Sequence, residues 1–97
     1  MVARISKYTG SSQRLDDLTR GFNQSADAVR ELDGFEGAYL LVQPGSGEAM
    51  TVALWSSPES AEASDQRVSQ IRTEAAQLAD HSVASVAVYE VASEIRA

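Results

Sequence analysis

The chain has 97 residues, 43% of them apolar and 23% charged, the profile of an ordinary soluble globular protein with one core, here one domain over residues 1–97. Eight basic residues against fourteen acidic ones give a net charge of −6, and the arginines are scattered along the chain, so neither nucleic acid nor an anionic membrane surface is an expected partner. The absence of cysteine excludes disulfides, a thiol nucleophile and a thiolate metal site, and no run approaches the roughly 18 to 20 apolar residues of a membrane span.

"MVARISKYTG" lacks the apolar region of a signal peptide, which makes the cytoplasm the expected location. Within it, residues 2–9 read as a strand, with β-branched and aromatic residues between polar ones. "GSSQRLDD" then supplies a stop, a serine cap and acidic residues suited to the first turns of a helix. The apolar positions Leu15, Leu18, Phe22, Ala26, Val29 and Leu32 recur every three or four residues and predict one long amphipathic helix. Asp33-Gly34 ends it, with glycine available for the left-handed conformation.

Strands are predicted over 35–43 and 49–57, joined by "PGSGE", a hairpin connection with its turn residues in place. Ser57-Pro58 opens a second helix, with serine as cap and proline at the first helical position. Its stripe is Ala61, Ser64, Val68, Ile71, Ala75 and Leu78. "ADHS" reads as a loop, and residues 83–91 as the last strand. The order β-α-β-β-α-β is the ferredoxin-like α+β arrangement: a four-stranded antiparallel sheet with two helices on one face. The crossover rule puts the first and third strands at its centre.

A sheet covered on one face only should alternate between apolar and polar residues. Here both parities are apolar: Met50, Val52 and Leu54 against Ala53 and Trp55, and Tyr39 and Leu41 against Ala38, Leu40 and Val42. The face without helices would be a larger apolar patch than a monomer usually exposes. The expected solution is a homodimer through that face, closing two sheets into one barrel.

The order of elements, "DGFEGAYLL" leading out of the first helix, the glycine-rich hairpin and "TVALWSSPESAEAS" entering the second helix resemble the antibiotic biosynthesis monooxygenase family of dimeric α+β barrels. The resemblance covers nearly the whole chain and is sharpest over residues 33–64. It implies oxidation, without a cofactor, of an aromatic quinol- or polyketide-like substrate by O₂ in a pocket between sheet and helices. It also implies that Trp55, at the end of the third strand, is part of that pocket. Indole offers an apolar wall and one N–H donor; the alternative is a tryptophan that simply fills the core.

Other candidates for the substrate pocket are Asn23 in the first helix, Tyr39 and Tyr89 on strands, and Arg72 on the second helix. Such groups donate to, or neutralise, an oxyanion when they turn inward; each also has an ordinary surface or packing role. Arg67 reads as a solvated residue, and His81 as a loop histidine near helix-end carbonyls. The resemblance implies an asparagine in the first strand, and a tryptophan and a histidine in the second helix, for heme degradation. None of these stands in "VARISKYT" or "PESAEASDQRVSQIRTEAAQLA", and Ser64 stands about where many relatives carry a bulkier residue. No metal is expected, and no phosphate loop follows a strand. Two functions remain open: a cofactor-free monooxygenase, or a non-catalytic dimeric module that binds a small hydrophobic ligand. The alanine-rich, arginine-over-lysine composition suggests a GC-rich bacterial source.

Overall fold

A computed structural model describes residues 1–97. The four strands are β1 (Val2–Gly10), β2 (Phe35–Gln43), β3 (Glu48–Trp55) and β4 (His81–Glu90), paired antiparallel in the order β2-β3-β1-β4. The first and third strands are central, as the connection rule requires. All helices lie on one face, giving the ferredoxin-like α+β fold. No helix is long and apolar enough to cross a membrane.

The single long first helix is a correction. The segment is instead a 3-10 turn (Ser12–Arg14) followed by α1 (Leu15–Gln24) and α2 (Ala26–Arg30). The break falls at Ser25, whose N–H donates to both Gly21 and Phe22 carbonyls at 3.2 Å, and whose Oγ donates to Phe22 O at 2.8 Å. A serine bonding back to the preceding turn competes with regular helix geometry, and Asn23 beside it is a weak helix former. The apolar stripe continues across the break, so periodicity alone reads the two helices as one.

α3 (Pro58–Leu78) begins as its sequence directs. Ser57 Oγ accepts the Ser60 N–H at 3.1 Å, and Ser60 Oγ accepts the Ser57 N–H at 3.3 Å, a reciprocal cap with proline in the first turn. β3 therefore stops at Trp55 rather than residue 57: the Ser56 N–H turns to the Gly34 carbonyl at 2.8 Å, and Ser57 serves the helix. Gly34 itself has φ +80°, and a Cβ there would run into Ser60 and Ser56. Only glycine meets both demands.

β4 starts two residues before the expected 83 and ends one before 91, which corrects the reading of His81. His81 is not in a loop. It is the buried first residue of β4, with Nδ1 2.6 Å from Ala79 O and Nε2 3.1 Å from Gly47 O. It thus ties the end of α3 to the β2–β3 hairpin.

The pairing register assigns the two faces. Arg4, Ser6, Tyr8, Thr51, Ala53, Trp55, Ala38 and Leu40 point under the helices; Ile5, Val52, Tyr39, Leu41, Met50 and Tyr89 point away. Beneath the helices the apolar packing falls into two clusters. One gathers Tyr8, Leu15, Leu18, Ala49, Ala76 and Ala79; the other gathers Val2, Trp55 and Ala61, with Phe35, Ala53 and Val68 against them. They do not merge. The space between them is the candidate site.

Candidate functional site

A cavity of about 80 Å³ lies between the sheet and the helices, bounded by residues of both core clusters. Its floor comes from β1, β2 and β3, including the small Ala38 and Ala53 that leave the volume open. Its roof comes from Leu18, Phe22, Ser25 and Val29 of the broken first helix and Val68, Ile71, Arg72 and Ala75 of α3. An outer cleft of about 280 Å³ adjoins it, sharing Phe22, Ser25, Val29, Phe35 and Ala38 as a neck. The neck sits against the α1–α2 break, the least regular part of the roof.

Trp55 is 0% exposed, with Phe35 edge-on to it at 5.4 Å between ring centroids and 69° between planes. Such T-shaped packing fixes the indole. Its Nε1–H is buried and has no hydrogen-bond partner. A strand that ends at Trp55 with the chain turning at once to Gly34 and Ser57 places this ring at the closed end of the sheet.

Arg4 projects from the central strand and is only 2% exposed. Its guanidinium carbon lies 5.4 Å from the Trp55 ring centroid. It donates to Ala61 O and, at 3.4 and 3.5 Å, to Ser64 Oγ, and it pairs with Asp65 at 3.7 Å. Ser64 thus serves Arg4: a small hydroxyl residue there leaves room for the guanidinium, and its Oγ donates back to Ala61 O at 2.8 Å. Burial pushes the Arg4 guanidinium below its ordinary value; Asp65 opposes that shift and the nearby charge of Arg72 adds to it. Arg72, on the next turns of α3, lines the same cavity, and its buried Nη2 has no hydrogen-bond partner. The cavity wall holds two guanidiniums and no carboxylate. Hydroxyls of Ser6, Ser25, Tyr8 and Thr51 complete its polar groups, the last two 3.4 Å apart.

Of the residues singled out from sequence, Trp55 and Arg72 border the cavity. Asn23 does not: it is exposed and lies at the outer cleft. Tyr39 and Tyr89 are 63% and 58% exposed on the helix-free face, away from the cavity, because their parity on the strands is the outward one. Arg67 is exposed, and His81 is held elsewhere by backbone carbonyls. No three ligating side chains gather anywhere in the chain. Arg4, Ser6, Tyr8 and Thr51 were not singled out. The signal for them was present in β1, where polar Arg4 and Ser6 share one parity and apolar Ala3 and Ile5 share the other.

Comparison with solved structures places this architecture. The heme-degrader MhuD from Mycobacterium tuberculosis superposes with a TM-score of 0.78 at 22% identity, covering 99% of this chain and 100% of that one. A candidate antibiotic biosynthesis monooxygenase from Deinococcus radiodurans gives 0.75 at 17%, covering 100% and 98%. SnoaB, a cofactor-independent oxygenase from Streptomyces nogalater, gives 0.73 at 15%, covering 97% and 95%. The chain therefore has the α+β fold of the antibiotic biosynthesis monooxygenase proteins, as residues 33–64 suggested. No protein-family model matches it, and no curated protein matches it in sequence. At these identities the likeness carries the fold, and activity has to be argued from the cavity.

Proposed function

We propose that the chain is a cofactor-independent oxygenase that binds a small aromatic, quinol- or polyketide-like substrate with an oxygen substituent in the cavity and its ring in the neck and outer cleft, and oxidises it with O₂. The observation that carries this reading is that Trp55 and Arg72, two residues lining a mostly apolar cavity, each keep a buried N–H donor without a partner, Nε1 and Nη2. Donors already in place in a water-poor site stabilise an oxyanion as it forms, with little reorganisation. An ionised aromatic of this kind is electron-rich enough to reduce O₂ itself. When a ring CH₂ becomes C=O, one oxygen atom enters the product and the other leaves as water, so the substrate supplies every electron.

Heme degradation, the activity given for MhuD, does not suit these residues. Both nitrogens of the only imidazole face backbone carbonyls outside the cavity. The cavity is also smaller than one aromatic ring requires, far short of a porphyrin.

One observation favours a second reading, a binding module without turnover. Neither a carboxylate nor an imidazole borders the cavity to accept the substrate's proton; only hydroxyls do. In either case the apolar outer face, with Tyr39, Leu41 and Tyr89 well exposed, supports a homodimer that packs two sheets face to face.

The test is oxygen uptake with anthrone-, naphthol- and hydroquinone-type substrates, free of metal and flavin, beside Trp55→Phe. Saturable uptake that falls in the variant supports the oxygenase. Uptake at the uncatalysed background across the panel supports the binding module.

A further inference from the structure

Charge inside the cavity and charge over the whole chain have opposite signs. The chain carries −6, whereas the cavity wall carries two guanidiniums and no carboxylate. A buried cation is costly unless it is paired. Arg4 has partners: the Trp55 ring, Ala61 O, Ser64 Oγ and Asp65, whose side chain is 60% exposed. Arg72 forms no salt bridge, and its buried Nη2 has no acceptor. Trp55 Nε1 has none either. The site thus holds two positive charges and two idle donors, and its side-chain acceptors are neutral hydroxyls, with no anion among them.

The ligand's chemistry follows from that deficit. A neutral phenol brings one acceptor oxygen and a further O–H that itself needs a partner. A carboxylate brings two acceptor oxygens, no donor, and the missing negative charge, in the planar form that suits a guanidinium. The volumes orient it. The inner 80 Å³ is below the roughly 150 Å³ of a cavity that binds benzene, so it takes a head group and not a ring. The outer cleft of about 280 Å³, reached past the aromatic neck of Phe22 and Phe35, has room for the ring.

We propose that the cavity recognises an aromatic carboxylate, its carboxylate bound inside by Arg72 and Trp55 Nε1 and its ring system in the neck and outer cleft. This rests on reading the cavity as the ligand site, and it narrows the substrate class from neutral phenols to aromatic acids.

The test uses two isosteric probes, 2-naphthoate and 2-naphthamide, titrated calorimetrically into the wild type, Arg72→Gln and Arg72→Lys. The wild type is expected to bind the carboxylate at least about tenfold more tightly than the amide, the scale of one charge-assisted contact. Arg72→Gln is expected to remove that preference by weakening the carboxylate more than the amide, and Arg72→Lys to restore part of it. Equal affinity of the wild type for both probes, or a preference surviving in Arg72→Gln, overturns the proposal. Failure of both probes to bind at millimolar concentration overturns it too. Should Arg72→Gln not fold, the wild-type comparison and Arg72→Lys still decide. Oxygen uptake is measured separately with 6-hydroxy-2-naphthoate. Carboxylate preference without uptake upholds the inference and sinks the oxygenase reading; uptake on neutral quinols without carboxylate preference does the reverse.

Discussion

The guanidinium of Arg4 lies over the indole of Trp55, 5.4 Å from the ring centroid, and the two side chains are almost completely buried together. The stacking joins the centre of the sheet to its closed end, and it gives the cavity both its wall and part of its charge. Burial is the largest influence on Arg4 and works against its charged form. The arginine is therefore placed at some cost to stability, the pattern expected of a functional group.

Replacement of Arg4 by methionine tests that cost. The lost cation–π contact is worth about 1 to 2 kcal/mol, and relief from burying a guanidinium beside Arg72 offsets it. Denaturant unfolding of Arg4→Met is expected within about 1 kcal/mol of the wild type, together with weakened ligand binding. Asp65→Asn, which removes the only carboxylate partner but from an exposed position, is expected to cost at most about 1 kcal/mol. A loss above about 3 kcal/mol in Arg4→Met would make Arg4 a structural residue.

Trp55 separates packing from hydrogen bonding. Trp55→Ala empties the centre of its cluster and is expected to cost about 3 to 5 kcal/mol. Trp55→Phe keeps most of the apolar contact and removes a buried N–H that has no partner, so its cost is expected below about 2 kcal/mol. Melting temperature and oxygen uptake then diverge in Trp55→Phe: the fold persists and the activity drops.

The outward sheet face carries its own prediction. Val52 lies on a central strand beside Tyr39 and Ile5, in the middle of the exposed apolar surface. Sedimentation is expected to show a dimer for the wild type and a monomer for Val52→Lys, because a lysine there would be buried without a counter-charge. A wild type that sediments as a monomer at micromolar concentration contradicts the barrel.

Acid should loosen the junction between the start of α1 and the end of α3. Arg14 donates to Asp17, to Asp80 at 2.8 Å and to Leu78 O at 2.7 Å, and Arg20 donates to Asp17 at 2.7 Å. Hydrogen bonds from Arg14 and Arg20 hold the Asp17 carboxyl below its ordinary value. Its stabilising contribution is thus complete above the unfolded value of about 3.9 and is lost as pH falls through the lower folded value. Thermal melts between pH 6 and pH 2 are expected to show a smaller acid loss in Asp17→Asn than in the wild type.

Much of the fold was legible because its local signals agree with one another. Ser57-Pro58, Gly34 and the β2–β3 hairpin each name a boundary through backbone chemistry that does not depend on tertiary contacts. The break at Ser25 was not legible by periodicity, since the apolar stripe runs across it and only a back-bonding hydroxyl marks it. The site was half legible. Trp55 and Arg72 border the cavity, whereas Tyr39 and Tyr89 fall on the opposite strand parity. Parity was ambiguous because both sheet faces are apolar. β1 is mixed on both faces: polar Arg4 and Ser6 lie under the helices with Val2 and Tyr8, and Ile5 lies outside with Lys7. Reading that parity would have pointed to Arg4 and Ser6 as polar residues under the helices.

Labelled oxygen tests the central claim most directly. The protein would be incubated with ¹⁸O₂ and an oxidisable aromatic, and the product mass compared with that from a variant in which Ala53→Leu fills the cavity floor. The account predicts one ¹⁸O atom per product molecule from the wild type and a rate at background in Ala53→Leu, provided circular dichroism shows the variant folded. Product lacking ¹⁸O, or formed equally fast with the cavity filled, would contradict it.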